Sequence, residues 1–256
     1  MVSSLIRFSL PILFTTALAP AVWAQATGLQ TPAPQASPSR PDLPDEMRGD
    51  IMMARKMYRE ALDYYKKGAD SSAVLANKCG IAYHQMLDLR NAKRWYQKAI
   101  KLNPQYAEAI NNLGTVYYAE KSYRRAIDQY KKALRVNQSA SVLSNLGTGY
   151  FARKQYDDAM KSYQEALALD PNVFEHRGSQ GSVVQERSVE DRAKFEYYMA
   201  KTYAKAGAFE RALQYIRRSL EDGFKERDKY LQEPEFAQLQ DDMEFKQIMA
   251  MEQKVL

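Results

Sequence analysis

The chain has 256 residues, 45% of them hydrophobic and 27% charged, and its 37 basic and 31 acidic residues give a net charge of +6. A single cysteine excludes an internal disulfide. With only two histidines beside it, little remains from which to build a metal centre or a Cys–His catalytic pair.

Residues 1–24 read as a secretory signal: Arg7 is the only charge, Ile12 to Ala19 is apolar, and Val22-Trp23-Ala24 is a small-x-small cleavage site before Gln25. The competing reading is an uncleaved membrane anchor, since the apolar stretch from Leu5 approaches spanning length. Pro11, Pro20, the weakly charged start and the good cleavage site favour removal. No cysteine lies near the cut, which excludes a lipid anchor there. Residues 25–44 carry Pro32, Pro34, Pro38, Pro41 and Pro44, a composition that cannot bury a core and predicts a semi-extended tether.

From residue 45 onward one pattern recurs. A small residue is followed by Tyr after three positions and Ala after a further nine: Gly80, Tyr83, Ala92; then Gly114, Tyr117, Ala126; then Gly147, Tyr150, Ala159; then Ala200, Tyr203, Ala212. The steps between the small residues are 34, 33 and 53. A period near 34 is the mark of stacked helix pairs. In Ala107 to Asn137 the residues Ile110, Leu113, Gly114 and Tyr117 fall on one helical stripe, and Tyr123, Ala126, Ile127, Tyr130, Ala133 and Leu134 on a second. Two amphipathic helices and a short polar turn make an antiparallel hairpin. A glycine inside a helix is unfavourable by about 0.5–1 kcal/mol, so its return at one phase predicts close approach of the paired helix, with Ala126 at the matching point.

These residues resemble the tetratricopeptide repeat: a large apolar residue, Leu-Gly, Tyr, Ala, an aromatic, Ala and then Pro. Residues 73–106 match through Cys79, Gly80, Tyr83, Ala92, Tyr96, Ala99 and Pro104. Residues 140–173 match through Leu146, Gly147, Tyr150, Ala159, Tyr163, Ala166 and Pro171, while 107–139 carry Gln138 where the others have Pro. Asn103-Pro104 also reads locally as a helix cap followed by Pro at the first helical position. Residues 193–226 form a divergent unit, and 45–72 an N-terminal one that keeps only Ala61, Tyr65 and the small Gly68. Between them, 174–192 is an insertion centred on Gly178, Ser179, Gly181 and Ser182. It is either a loop near the binding face or a plain spacer. Its last residues, Ser188-Val-Glu-Asp191, form a capping box for the next helix. Residues 227–256 resemble the closing segment of many bacterial arrays of this family and are expected to cover the last hydrophobic face. The fold class implied is all-α, a right-handed α-solenoid.

The same frame absorbs most residues that could suggest chemistry. Tyr83, Tyr96, Tyr117, Tyr130, Tyr150, Tyr163 and Tyr203 fall on packing slots, and Cys79 takes the Leu slot of the motif, which implies a buried, inert thiol. There is no phosphate-cradling glycine loop and no HExxH spacing, so no enzyme, cofactor or metal is expected. Pairs such as Lys93-Arg94, Arg124-Arg125, Lys131-Lys132 and Arg217-Arg218 lie in second helices, the outer wall in this family, and read as a solvated face rather than a nucleic-acid surface.

The resemblance implies that first helices line a concave groove at positions the packing leaves free. The candidates are Asn77, Lys78, Ile81, His84 and Gln85; Glu108, Asn111, Asn112, Thr115 and Tyr118; Ser144, Asn145, Thr148 and Phe151; and Lys194, Tyr197, Tyr198, Lys201 and Lys205. Asn amides both donate and accept, which suits the backbone of an extended peptide or the rim of a docked helix. Lys194, Lys201 and Lys205 share one helical face and favour an acidic segment or a C-terminal carboxylate. The expectation is an exported scaffold of a bacterial periplasm or envelope that binds a protein or peptide, with neither nucleic acid nor metal as partner. The alternative is a binder of cell-wall glycan or another anionic polymer through the basic groove face. A membrane enters only if the apolar segment stays uncleaved.

Overall fold

The computed structural model describes residues 43–175 and 188–251. The signal segment, the proline-rich stretch up to 42 and the centre of the insertion lie outside the described residues. Among the described residues all regular structure is helical. Five hairpins follow one another: α1 (Asp45–Ala54) with α2 (Tyr58–Tyr65), α3 (Ala73–Gln85) with α4 (Leu89–Leu102), α5 (Ala107–Ala119) with α6 (Tyr123–Val136), α7 (Ala140–Ala152) with α8 (Tyr156–Leu169), and α9 (Val189–Lys205) with α10 (Phe209–Glu221). A closing segment adds α11 (Lys229–Gln232), a 3-10 turn (Pro234–Leu239) and α12 (Met243–Ala250). Each helix packs mainly on its hairpin partner and on the next hairpin, so the core is a continuous seam between two layers of helices. The architecture is an α-solenoid.

One contact sets the hairpin crossing. A Cβ placed on Gly80, Gly114 or Gly147 would come within 2.4–2.6 Å of the ring of Tyr96, Tyr130 or Tyr163. Each tyrosine is sixteen residues further on and buried. The glycine therefore accommodates the aromatic ring itself, and the alanine at the matching point, such as Ala126, is a neighbour in the seam rather than the partner. The N-terminal hairpin repeats the arrangement, with Gly49 against Tyr65. Sequence reasoning assigned the small position there to Gly68 and missed Gly49. Only 31 residues separate Gly49 from Gly80, because the connection after Tyr65 is shortened, and the period near 34 hides the match.

The five hairpin turns share one geometry. Lys56, Leu87, Lys121, Lys154 and Gly207 all have φ between 58° and 74°. At each, two backbone bonds close the first helix: Leu87 N–H donates to the His84 carbonyl and Asp88 N–H to that of Tyr83, both at 2.9 Å. This is the left-handed termination that glycine ordinarily supplies, here built four times on a side-chain-bearing residue.

At the start of α5 the expected cap is displaced. The helix begins at Ala107, and Asn103 Oδ1 accepts from Gln105 N–H at 3.0 Å, so Asn103 shapes the loop as an Asx turn instead of capping the helix. Asp170 does the same with Asn172 N–H ahead of the insertion. Beyond it, Ser188 Oγ accepts from Asp191 N–H at 3.1 Å and caps α9. Arg211 of α10 reaches back to the near side of the insertion, donating to the Pro171 carbonyl at 3.1 Å and pairing with Glu175 at 2.7 Å.

Candidate partner-binding face

The first helices α3, α5 and α7 lie side by side and are linked by a run of asparagine amides. Asn145 Nδ2 donates to Asn111 Oδ1 at 3.0 Å, Asn111 Nδ2 approaches Asn112 Oδ1 at 3.5 Å, and Asn112 Nδ2 donates to Asn77 Oδ1 at 3.1 Å. Asn77 Nδ2 ends the run on Glu108 Oε1 at 2.9 Å and on the Tyr106 hydroxyl at 3.4 Å. The repeat explains the alignment: in each inter-helix bond the amide two residues before one packing glycine meets the amide three residues before the preceding one, Asn112 with Asn77 and Asn145 with Asn111. Asn111, Asn112 and Asn145 stay half-exposed along this face. Asn77 is only 1% exposed, and its amide is consumed by the network. Glu108 and Tyr106 are its anchors, and Tyr106, in the loop before α5, gave no signal in the sequence.

Several other candidates are not open to a partner. Ser144 and Thr148 are buried, with Thr148 Oγ1 bonded back to the Ser144 carbonyl at 3.0 Å. Phe151 is buried edge-on to Phe195 at 5.4 Å, and Tyr197 stacks on Phe224 at 4.5 Å. These positions correct the groove assignment: Thr148 Oγ1 is also 3.3 Å from the Tyr163 hydroxyl of α8, while the divergent α9 covers Phe151 and the closing segment covers Tyr197 with aromatic contacts. Ile81 is half-buried against the Tyr96 cluster, and His84 is half-buried edge-on to the Tyr96 ring at 6.4 Å, where burial lowers its pKa. Lys78 faces the N-terminal hairpin, 2.7 Å from both Asp50 and Glu46. Burial would lower its pKa, but these bonds hold it above the usual range. Thr115 bonds to the Asn112 carbonyl at 2.8 Å, and Tyr118 leans on Tyr123. Thr115, Tyr118 and Gln85 remain at the edge of the amide run.

The lysines of α9 do not form a free positive stripe. Lys201, 18% exposed, lies 3.0 Å from Glu233 and 3.5 Å from Glu235 of the closing segment. Lys194 sits over the Tyr156 ring at 4.6 Å, with Tyr198 stacked on the same ring, and only Lys205 is fully exposed. The first-helix face is thus polar and mostly uncharged at its centre and is sealed at its C-terminal end.

Cations of the second helices also have work the sequence did not reveal. Lys66 lies over Tyr83, Lys93 and Arg125 both lie over Tyr117, and Lys131 lies over Tyr150, all within 6 Å of the ring centre. The half-exposed motif tyrosine of one hairpin is covered by a cation from the hairpin before it, joined at Tyr117 by Arg125 of its own hairpin. Cys79 is buried, and burial pushes its thiol up to about 12. Among the described residues no three His, Cys, Asp or Glu side chains are close enough to share a metal ion.

Family models described as tetratricopeptide repeats match residues 107–141 and 140–173, and one described as TPR repeat matches residues 80–120. The chain is a tetratricopeptide-repeat protein. Its repeats place it among scaffolds of protein–protein interaction, a family generally without catalytic activity. Curated relatives of this repeat protein include the uncharacterized protein ycf37 of Pyropia yezoensis, 34% identical over 71 residues, which are 27% of this chain and 40% of that protein. The photosystem I assembly protein Ycf3 of Rippkaea orientalis is 28% identical over 102 residues, 34% of this chain and 58% of that one. The chain spans less than two thirds of the length of either. Among solved structures, MamA from Desulfovibrio magneticus RS-1 is 20% identical with a TM-score of 0.49, covering 69% of this chain and 92% of that one. YrrB, described as a TPR protein with an unusual peptide-binding site, is 18% identical with a TM-score of 0.47, covering 70% and 85%.

Proposed function

We propose that this chain is an exported envelope scaffold that holds an extended segment of a partner protein against the amide run of α3, α5 and α7. The amide run itself carries the reading. Half-exposed Asn111, Asn112 and Asn145 offer donors and acceptors at the spacing of successive hairpins, and backbone groups of an extended chain have the same mixed demand. One relative's name, a photosystem I assembly protein, is in keeping with a scaffold role. The glycan alternative rested on Lys194, Lys201 and Lys205, and pairing of Lys201 with Glu233 and Glu235 removes its centre. The segment ending at Ala24 supports export, with cleavage before Gln25.

Photocrosslinkers placed in cells at Asn111 and Asn145 should capture a defined protein, while one at exposed Lys161 of α8 should not. Equal capture from Lys161 would overturn the face assignment. Mass analysis of the mature protein should begin at Gln25, and an intact N-terminus would overturn the export reading.

A further inference from the structure

The second helices α4 and α6 carry a charge pattern that the repeat does not require. Helix α4 has five cations and no carboxylate, and α6 has five cations and one carboxylate, Asp128. At four matching positions of one outward stripe (i, i+4, i+7 and i+11) α4 reads Arg90, Arg94, Gln97, Lys101 and α6 reads Arg124, Asp128, Lys131, Arg135. Three of four are cations in each, and Asp128 is the one acid; the six cations are Arg90, Arg94, Lys101, Arg124, Lys131 and Arg135. All six are exposed. Carboxylates reach Lys93 and Lys98 only, from Glu120 and Asp70; among the described residues none lies within 4 Å of the six. The matching stripe of α8 reads Asp157, Lys161, Gln164, Ala168, so the basic character belongs to these two hairpins alone.

The pattern works against the helices that carry it. Like charges at i, i+4 repel, and Arg90, Arg124 and Arg125 stand in first turns, where the helix dipole favours acids. Neither helix has an acidic residue in its first turn, as α1, α5, α8, α9 and α10 do and α3 and α7 do not, and of the two only α4 has an acid at its cap, Asp88. The two helices are neighbours on this side: Lys93 of α4 and Arg125 of α6, each beside its stripe, both approach the Tyr117 ring, at 4.6 and 5.8 Å.

We infer that this strip lies against a membrane surface and binds anionic lipid headgroups. Three observations select that partner among anionic ones. The strip is open: a depression of about 400 Å³ beside Tyr117 is lined by Arg125, Lys131, Lys132 and Arg135 with the single acid Asp128, and it is wide at its mouth. The aromatics that could stack on nucleic-acid bases are already covered, Trp95 by Lys98 and Tyr117 by Lys93 and Arg125. Each stripe ends in a cation followed by an exposed aliphatic residue, Lys101-Leu102 and Arg135-Val136, with Leu102 and Val136 both 41% exposed; α8 repeats the aliphatic at Leu169 but has Ala168 in place of the cation, so the combination belongs to the strip. Cations bordered by exposed aliphatics are the composition of a peripheral membrane contact. This departs from the sequence reading, which treated the cations as a solvated wall, and it is independent of the amide face.

The test is flotation of the full chain with vesicles of phosphatidylcholine alone and vesicles in which about a third of the lipid is phosphatidylglycerol. The N-terminal stretch with Arg7 is common to the parent and both variants below, whether or not it is cleaved, so the comparison among them isolates the strip. Binding to the anionic vesicles should be at least about tenfold stronger and should fall steeply with salt. The combined variant Arg94→Gln, Lys101→Gln, Lys131→Gln, Arg135→Gln should abolish the preference. The control Lys161→Gln, Lys205→Gln, Lys225→Gln, Lys246→Gln removes the same charge elsewhere and should keep it. An equal loss in both variants, no preference in the parent chain, or tighter strip-dependent binding to single-stranded DNA or polyglutamate would each overturn the proposal.

Discussion

Gly114 has no room for a side chain, and the reason is the size of Tyr130 rather than any demand of the turn. A methyl group there would meet the Tyr130 ring at 2.6 Å, and the ring is buried with nowhere to move. Gly114→Ala should therefore destabilise by about 1–3 kcal/mol, although alanine is the better helix former. The divergent hairpin indicates the rescue, for it pairs Ala200 with Ile216 at the same separation of sixteen. Adding Tyr130→Ile to Gly114→Ala should recover part of the loss, read as a coupling energy of at least about 0.5 kcal/mol in a thermal double-mutant cycle. Strict additivity would refute the pairing. Leu87 offers the opposite case: it holds φ at 60° with its side chain 82% exposed. Glycine adopts that conformation without the Cβ clash, and the relief outweighs its larger unfolded-state entropy. Leu87→Gly should raise Tm, by an amount corresponding to about 0.5–1 kcal/mol.

Between elements, the joint of α9 and α10 is electrostatic. Arg192 grips Asp222 with two hydrogen bonds, one of them at 2.8 Å, which holds the Asp222 carboxyl below its usual range. Glu196, one turn on from Arg192, is half-buried near the same carboxylate, and burial first and the Asp222 charge second raise it to about 8. Folded Glu196 thus keeps its proton above the pH at which the unfolded side chain, near 4.5, releases it. The native state binds more protons across that window, so stability falls as pH rises from about 4.5 to 8. Asp222 acts in the opposite sense, its contribution being lost below pH about 4. Glu196→Gln should remove the decline between pH 5 and 8 and be more stable than the parent at pH about 8 in urea titrations. An unchanged slope would refute the role of Glu196. No sequence signal marked this trio, because its members lie on a divergent unit and meet only through helix packing. The hairpins, by contrast, were legible from a few residues: Gly, Tyr and Ala at fixed spacing report contacts that every unit must make. The amide run was legible in its members, since Asn77 and Asn111 lie three residues before their packing glycines and Asn112 and Asn145 lie two before theirs. That Asn77 is consumed by Glu108 and Tyr106 was not, because an internal amide contact and an open one look alike in a sequence.

For the whole array the decisive region is its C-terminal end. A repeat array is a one-dimensional stack in which each hairpin covers the previous one, so the last needs a cover of its own. Here Tyr230, Phe236, Leu239, Phe245 and Ile248 are buried, and Phe236 and Tyr230 close over Tyr197 of α9. Glu233 and Glu235 then fix the segment through Lys201, which explains why Tyr197 and Lys201, drawn from α9 by repeat phase alone, are covered while Lys205 stays exposed. Phase identifies which residues face the first-helix side and is silent about what the rest of the chain lays upon them. Phe236→Ala should lower stability by about 3–5 kcal/mol, as expected for an emptied aromatic site. A chain ended at Gly223 should lose the cover altogether, exposing the Tyr197 side of α9 as an apolar patch. In sedimentation velocity it should self-associate while its circular dichroism keeps the helical signal of the preceding hairpins, because each of those retains its neighbour. A truncated chain that stays monomeric at the concentrations of the parent would show that the closing segment serves another purpose.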